Sequence, residues 1–278
     1  MKILFIGDIV ARPGRDLVRR GLKSLVRTYG IDMVIANGEN AAGGAGLTRE
    51  IADELFGAGI HVMTSGNHIW DKREVMEFID RHPRLVRPAN YPAGAPGAGS
   101  YVWTHEGLVV GVINVMGRVF MANLDDPFVA ATTELARVRE AGATVVFVDI
   151  HAEATSEKQA MGWHLDGRVT AVVGTHTHVQ TADERILPGG TAYLTDVGMT
   201  GPHDGVIGMD RNGVLARFTT GLPSRFEPAT GDPRLHAVVI SADAASGRAL
   251  AIERIALSAD QLSALDERDA DRLAPTIP

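Results

Sequence analysis

The chain has 278 residues, which is enough for one large α/β domain or two small ones, and its 45% hydrophobic content allows a sizeable core. Its 27 basic and 34 acidic residues give a formal charge of −7, and this mild acidity argues against a general nucleic-acid or anionic-membrane binder. The absence of cysteine excludes disulfides, thiolate metal sites and cysteine nucleophiles.

The first quarter of the chain alternates short apolar runs with segments of helical spacing. The apolar runs predict strands at residues 2–7, 31–36 and 60–64. Helices are predicted between them, from Pro13 to a stop at Gly30 and from a Thr48 cap across Leu55. Such a β-α-β-α-β order predicts a parallel sheet that binds its ligand at the carboxyl ends of the strands.

The rest of the chain first continues this alternation and then changes. It predicts helices over 72–80 and 126–139, and strands at 101–105, 108–115, 144–150 and 169–173. From Gly213 onward, apolar runs at 214–219, 236–241 and 250–255 predict antiparallel strands, with 241–247 as a hairpin turn. We therefore expect a single domain over residues 1–278 with two sheets, and a charged helix or tail from about residue 259.

The stretch Gly174-Thr175-His176-Thr177-His178 follows the predicted strand 169–173. A turn at that point can aim both imidazoles into one space, and neutral imidazole is a good ligand for transition metals. The pair alone is a weak signal. It is strengthened because other predicted strand ends also carry residues able to bind metal, which gives the full set Asp8, Glu39, Asn40, Asn67, His151, His176 and His178.

Each of these residues also has a simpler interpretation. Asp8 could cap a helix, Asn37-Gly38 could be only a turn, and Asn67-His68 could be a structural loop. Their joint occurrence on successive strand ends favours a site for two divalent cations. Two cations roughly 3.5–4 Å apart can hold a hydroxide between them and grip the oxygens of a phosphoester, which is how such esters are hydrolysed at neutral pH.

The order of these motifs resembles the calcineurin-like metallophosphoesterase series. The motifs are Gly7-Asp8, Gly38-Glu39-Asn40, Gly66-Asn67-His68, His151 and Gly174-Thr175-His176-Thr177-His178. The stretches 151–158 and 195–202 are similar to the bacterial YmdB-type subfamily, whose members are cyclic-nucleotide phosphodiesterases. The resemblance implies a four-layer αββα sandwich of two mixed β-sheets flanked by helices.

The resemblance also implies two metal shells that share Glu39. Metal one would be bound by Asp8, Glu39, Asn40 and His178. Metal two would be bound by Glu39, Asn67, His151 and His176. His68 would bind no metal; as an imidazolium it would protonate the leaving oxygen or stabilise the phosphoryl charge.

Two departures from the broad superfamily fit the YmdB-type pattern. The first motif, Asp8-Ile9-Val10, lacks the usual histidine, and Glu39 replaces the usual bridging aspartate, with Asn40 taking the open coordination position. A site with fewer histidines and more oxygen ligands favours iron or manganese, with magnesium, cobalt or zinc as alternatives. Glu157 and Lys158 fit either a surface ion pair or substrate contacts, and the sequence does not decide between them.

The sequence thus predicts a metal-dependent phosphodiesterase acting on cyclic nucleotides such as 2′,3′-cyclic AMP. The alternatives are a phosphomonoesterase or protein phosphatase with the same site, and a non-catalytic nucleotide- or metal-binding regulator. The expected partner is a small phosphorylated substrate, with no stable nucleic-acid complex and no membrane, in a homo-oligomer. No stretch approaches the roughly 20 apolar residues of a membrane helix, and Asp8 ends the first apolar run too early for a signal peptide, so we expect a cytoplasmic protein.

Overall fold

The computed structural model describes residues 1–265, which form thirteen strands, six numbered helices and a last helical segment at 259–265, joined by turns and loops. The strands are β1 (Lys2–Ile6), β2 (Asp8–Ile9), β3 (Met33–Asn37), β4 (Val62–Thr64), β5 (Ser100–His105), β6 (Leu108–Met116), β7 (Val145–His151), β8 (Ala171–Thr175), β9 (Arg185–Ile186), β10 (Ala192–Leu194), β11 (Met199–Pro202), β12 (Pro233–Ala242) and β13 (Ala249–Ser258). The helices are α1 (Ala11–Tyr29), α2 (Arg49–Ala58), α3 (Val75–Phe78), α4 (Pro127–Glu140), α5 (Thr155–Leu165) and α6 (Arg211–Thr220).

These strands form two mixed sheets. The first has the order β2-β11-β12-β1-β3-β4, with β13 paired to β12, and β1, β3 and β4 run parallel in it. The second has the order β5-β6-β7-β8-β10-β9, with β6, β7, β8 and β10 parallel. The parallel strands of both sheets match the alternation that the sequence predicts, and β12 and β13 are the predicted antiparallel pair.

Strand alternation sorts the core into layers. In β1, Ile3 and Phe5 pack towards the second sheet, while Leu4 and Ile6 pack in a separate core with residues of α1 and α2. The rings of Phe5 and Phe147 lie 4.8 Å apart between the two sheets. A further core joins the second sheet to α4 and α5. The layers therefore run helix, sheet, sheet, helix, and the predicted αββα sandwich is confirmed.

The prediction of a strand at 214–219 is wrong, because this segment lies in helix α6. The Asp210 side chain accepts hydrogen bonds from the backbone N–H groups of Asn212 and Gly213, and Gly221 ends the helix with a φ of 71°. Only Val214 in the helix is buried. Capping residues at both ends therefore decide the conformation of a run whose apolar pattern suggested a strand.

Two further elements differ from the predicted ones. The helix expected over 72–80 is reduced to one turn, α3, followed by a 3-10 turn at Ile79–Arg81, and no side chain caps the start of α3. Helix α5 is not apparent from the apolar pattern, because its buried face carries Glu157 and Lys158 beside Met161 and Leu165. Buried polar residues hide the helical periodicity of that segment.

The last residues that the structure describes pack on helix α1. Residues 259–265 are helical, and a Cβ at Gly21 would lie 2.3 Å from Cγ of Leu262, so only glycine allows this approach. The remainder of the expected tail, residues 266–278, lies outside the described residues, and the single domain over 1–278 stays a prediction. Within residues 1–265, no helix has both the length and the apolar character needed to span a membrane.

Candidate metal centre

The carboxyl ends of strands from both sheets bring seven polar side chains to one place. Asp8 lies just past β1, Glu39 and Asn40 follow β3, and Asn67 follows β4. From the second sheet come the last residue of β7 and two residues after β8. We call these seven side chains the polar cluster: Asp8, Glu39, Asn40, Asn67, His151, His176 and His178.

One half of the polar cluster surrounds the His151 ring. Its Nε2 lies 3.1 Å from Glu39 Oε1, 2.9 Å from Asn67 Oδ1 and 3.1 Å from His176 Nδ1. Ligand atoms of Glu39, His151 and His176 all lie within 4.8 Å of one another. These four residues could therefore hold one cation.

The other half surrounds His178. Its Nε2 lies 3.7 Å from Asp8 Oδ1 and 3.2 Å from the Asn40 amide, which in turn lies 3.2 Å from Glu39 Oε1. Turning the Asn40 amide by half a turn would present its oxygen at the same place. Glu39 thus touches both halves, which could hold two cations with this carboxylate between them.

Hydrogen bonds on the outer side of the histidine rings fix their tautomers. The Thr175 hydroxyl donates its one proton to Asp149 Oδ1 (2.7 Å), so it accepts from His151 Nδ1 (2.9 Å). His178 Nδ1 donates to the carbonyl oxygen of Ile207 (2.9 Å). In their neutral forms both imidazoles therefore present the lone pair of Nε2 to the polar cluster.

The ring of His176 is held in the same way, by Glu153. Its Nε2 lies 3.1 Å from Glu153 Oε2, so its Nδ1 presents a lone pair to His151 Nε2 at 3.1 Å. Asn67 Oδ1 faces the same nitrogen, and Asp8 Oδ1 is buried with no hydrogen-bond partner among the described residues. In the neutral forms of these imidazoles, acceptors thus face acceptors. Ligands about 2.1 Å from one cation lie about 3 Å apart at a right angle, so this spacing fits a metal ion.

The electrostatics of the centre favour positive charge. Burial alone would raise the pKa of Asp8, but attraction to His178 holds that pKa well below its usual range. Burial would lower the pKa of His178, yet Asp8 raises it to about 9. The pKa of Glu39 is lowered in spite of burial, mainly by His151. Asp8 thus keeps a proton on the buried His178 imidazole, and a divalent cation would meet the same field and displace that proton.

The turn that carries His176 and His178 is strained. Both residues lie in the left-handed region, with φ of 95° and 64°. Thr177 between them donates its backbone N–H to Asp196 Oδ2 (3.2 Å), and the same oxygen accepts from Lys158 Nζ (2.7 Å). We call Lys158, Thr177 and Asp196 the support network. It lies directly behind the two imidazoles and fixes their backbone.

The glycine at position 66 allows the two sheets to meet at the centre. A Cβ there would lie 2.2 Å from the His151 ring and 2.5 Å from Glu39 Oε2. No side chain fits at that distance, so Gly66 is needed for the close approach of a carboxylate and an imidazole from different sheets.

His68 lies beside the polar cluster but is anchored differently. Its backbone N–H donates to Glu39 Oε2 (3.0 Å), and its Nδ1 lies 2.8 Å from Asp71 Oδ2. The side chain is 38% exposed, unlike the fully buried Glu39 and His151. Asp71 thus fixes Nδ1–H and leaves Nε2 available to a substrate.

Several residues that hold the centre are absent from the sequence-based site. Glu153, Asp71, Thr175 and Asp149 bond to its imidazoles directly or through one hydroxyl. The stretch 151–158 is the sequence signal that could have indicated Glu153.

The surface ion pair considered for Glu157 and Lys158 is wrong. Both side chains are buried, and they bond to different partners. Lys158 bonds to Asp196, and Glu157 accepts hydrogen bonds from backbone N–H groups that follow β6.

Comparison with known proteins decides the family. The sequence profile of the family described as YmdB-like protein matches residues 4–255. The chain belongs to the YmdB-like family. This membership confirms the resemblance on which the fold prediction depends.

Relatives of this YmdB-like protein are enzymes that act on phosphoesters. It is 52% identical over 262 residues to a 2′,3′-cyclic-nucleotide 2′-phosphodiesterase of Bacillus subtilis, covering 94% of this chain and 99% of the relative. A solved structure of a novel phosphatase from Mycoplasma pneumoniae is 32% identical with a TM-score of 0.87, covering 93% of each chain. The predicted enzyme class, a phosphoester hydrolase, is confirmed by these relatives.

A more distant likeness concerns the fold alone. A 5′-nucleotidase precursor from Thermus thermophilus is 15% identical with a TM-score of 0.55, covering 100% of this chain and 60% of that one. This YmdB-like protein therefore has the calcineurin-like metallophosphoesterase fold.

Proposed function

We propose that this protein is a dinuclear metal-dependent phosphodiesterase that hydrolyses cyclic nucleotides such as 2′,3′-cyclic AMP. One observation carries the proposal. Three imidazoles have an outward N–H bonded to Thr175, Glu153 and the Ile207 carbonyl, so their lone pairs face two buried carboxylates. Outward bonds of this kind are typical of metal-binding histidines. The activity for which the Bacillus subtilis relative is named supports the substrate class.

The ligands divide into two shells that share Glu39. One cation would be held by Asp8, Glu39, Asn40 and His178, and the other by Glu39, Asn67, His151 and His176. When bound, the two cations would activate a water molecule and neutralise charge on the phosphoryl oxygens. Iron or manganese fits this oxygen-rich donor set best, with magnesium, cobalt or zinc as alternatives.

His68 supplies the proton for the leaving group. In a 2′,3′-cyclic substrate, water adds to phosphorus, the bond to one ribose oxygen breaks, and that oxygen takes a proton from the His68 imidazolium. The Asp71 carboxylate, 2.8 Å from Nδ1, orients the ring. The product is a nucleoside monophosphate, and no covalent phosphoenzyme forms.

The test compares wild type with His68→Ala on 2′,3′-cyclic AMP, bis(p-nitrophenyl) phosphate and the monoester p-nitrophenyl phosphate. We expect the diesters to be preferred, and the variant to lose activity about 10²- to 10⁴-fold, as for removal of a general acid. Elemental analysis should show unchanged metal content. His105→Ala is the matched control, because His105 is an exposed histidine of the β5–β6 hairpin at the opposite edge of the sheet.

Other results would each reject a part of the proposal. Preference for the monoester would make the protein a phosphomonoesterase. Full metal occupancy without any hydrolysis would favour a regulator. Loss of metal in His68→Ala would make His68 a ligand and remove it as the acid.

A further inference from the structure

An unusual exposed aromatic residue lies in the loop that follows β6. Phe120 is 91% exposed, more than any other large hydrophobic side chain in residues 1–265. Its φ of 62° lies in the left-handed region, which is a rare conformation for a bulky residue. The backbone strain is unfavourable for folding, and strained residues of this kind cluster at ligand sites.

The loop begins beside the polar cluster. The last residue of β6, Met116, pairs with His151 at the end of β7, and the Gly117 N–H donates to the His151 carbonyl oxygen at 2.9 Å. A turn closed by the Met121 N–H and the Arg118 carbonyl (3.2 Å) then carries Phe120. Three residues of chain span at most about 10 Å, so Phe120 lies within the length of a nucleotide from the backbone of His151.

Buried side chains hold this loop in place. The carboxylate of Glu157, 8% exposed, accepts hydrogen bonds from the backbone N–H groups of Arg118 (2.9 Å) and Val119 (3.3 Å). The buried Asn90 amide donates to the carbonyl oxygens of Met116 (2.8 Å) and Asp125 (3.0 Å), which joins the two ends of the loop. The Phe120 ring is therefore presented on a fixed support and is not part of a fraying segment.

We propose that Phe120 stacks on the nucleobase of the substrate; this inference rests on the proposed function. In a cyclic nucleotide whose phosphate lies at the polar cluster, the base is the one large flat surface. The base must then extend away from the polar cluster, towards the rim of the site. Stacking on an aromatic side chain accepts every base, because each base has a π-face. The loop would therefore select nucleotides over cyclic phosphodiesters without a base, and would not discriminate among bases.

The experiment measures two substrates and one product with Phe120→Ala and Phe120→Trp. For the metal-loaded Phe120→Ala enzyme, we expect KM for 2′,3′-cyclic AMP and the calorimetric Kd for 3′-AMP to rise about five- to a hundredfold, the loss that removing one stacking ring causes. Hydrolysis of glycerol 1,2-cyclic phosphate, which has no base, should not change. Phe120→Trp should keep the affinity of the wild type.

The matched control is Leu250→Ala. Leu250 is 67% exposed on β13, near residues that pair with the start of β1, at the opposite edge of the sheet from Asp8. Its removal deletes a comparable exposed apolar surface. We expect no change in KM for either substrate or in the Kd of 3′-AMP.

Two results would overturn the stacking role. An unchanged Kd of 3′-AMP in Phe120→Ala would overturn it. The result would be clearest if sedimentation also showed that the wild type is an oligomer and Phe120→Ala is not, because a second copy of the chain would then cover the ring in the wild type. Equal losses on the base-bearing and base-free substrates would show that Phe120 acts on the centre itself. A wild type that hydrolyses neither substrate would reject the proposed function, and the 3′-AMP titration would still decide the stacking.

Discussion

Two buried groups of charged side chains lie back to back behind the β8 turn, and they differ in their hydrogen-bond balance. In the support network, Lys158 Nζ donates to Asp196 Oδ2 (2.7 Å) and to the Thr177 hydroxyl (3.0 Å), and Asp196 Oδ1 accepts from the Gly198 N–H (2.7 Å). In the polar cluster with neutral imidazoles, acceptors face acceptors, and Asp8 Oδ1 has no hydrogen-bond partner among the described residues. Burial and charge do not separate the two groups. The balance of donors and acceptors does, and it supports the proposal that the support network stabilises the fold while the polar cluster binds metal.

The largest stability effect should come from unbalancing the support network. In the wild type the side chains of Lys158 and Asp196 are both only 1% exposed. Lys158→Met therefore leaves Asp196 buried without its ammonium partner. Breaking one partner of a buried pair costs about 3–5 kcal/mol of unfolding free energy. Urea denaturation of the metal-stripped proteins would measure this. Arg254→Met, which breaks a partly exposed pair with Glu184, is the control and should cost about 1 kcal/mol or less.

A loss below about 1 kcal/mol in Lys158→Met would contradict the role of the support network, because a surface pair loses that much. We also expect this variant to bind metal more weakly than the control variant. The strained turn at His176 and His178 would lose the hydrogen bond from Lys158 Nζ to the Thr177 hydroxyl.

A second pair of imidazoles lies outside the polar cluster. It tests whether the pKa of a buried histidine shifts differently when no carboxylate bonds to its ring. The rings of His203 and His236 lie 4.7 Å apart, and one buried nitrogen of each has no hydrogen-bond partner among the described residues. Burial and repulsion from His203 lower the pKa of His236 to about 4. The unfolded chain therefore takes up this proton at higher pH than the folded one.

This difference in pKa between the folded and the unfolded chain sets the direction in which stability changes with pH. The stability that neutral His236 contributes is fully present above pH 6.5, the ordinary pKa of histidine, and is lost as the pH falls towards about 4. Between pH 7 and pH 4, the unfolding free energy of His236→Gln should fall less than that of the wild type. The difference between the two decreases should reach as much as about 3 kcal/mol. Parallel pH curves would contradict this. The metal content of the variant should equal that of the wild type.

The smallest expected effect comes from comparing two buried threonine hydroxyls at opposite ends of strand β8. Thr175→Val removes the hydroxyl that accepts from His151 Nδ1 and donates to Asp149. Loss of such an outer partner lowers metal affinity about 10- to 100-fold. Competition with a chelator would measure it. The control is Thr170→Val, which removes another buried hydroxyl at the opposite end of β8, bonded to the Gly247 carbonyl, and should leave metal affinity unchanged.

Much of the fold and the candidate site could be predicted because both follow simple local rules. Apolar runs indicate the strands, and parallel strands bring their carboxyl ends to one edge, so Asp8, Glu39 and His151 were expected to meet. The partners of these groups could not be predicted. Lys158 and Asp196 are 38 residues apart, and Ile207 contributes only a backbone carbonyl. Long-range hydrogen bonds leave no periodic trace in a sequence.

The errors have a related cause. The apolar residues of 214–219 predict a strand, whereas the caps at Asp210 and Gly221 make this run a helix with Leu215 and Phe218 exposed. The apolar pattern does not predict helix α5, because the buried face of this helix is partly polar. Where polar groups are buried or apolar groups exposed, binary patterning fails, and such places lie next to the centre in α5 and in the Phe120 loop.

The most direct test of the central claim is a count of metal ions. Metal-stripped wild type and Glu39→Gln would each be titrated with Mn²⁺ by calorimetry and checked by elemental analysis. We predict two ions per chain in the wild type, and loss of tight binding at both positions in Glu39→Gln, because Glu39 Oε1 touches both halves of the polar cluster. A wild type that binds no Mn²⁺ tightly, or a variant that keeps both ions, would contradict the dinuclear centre.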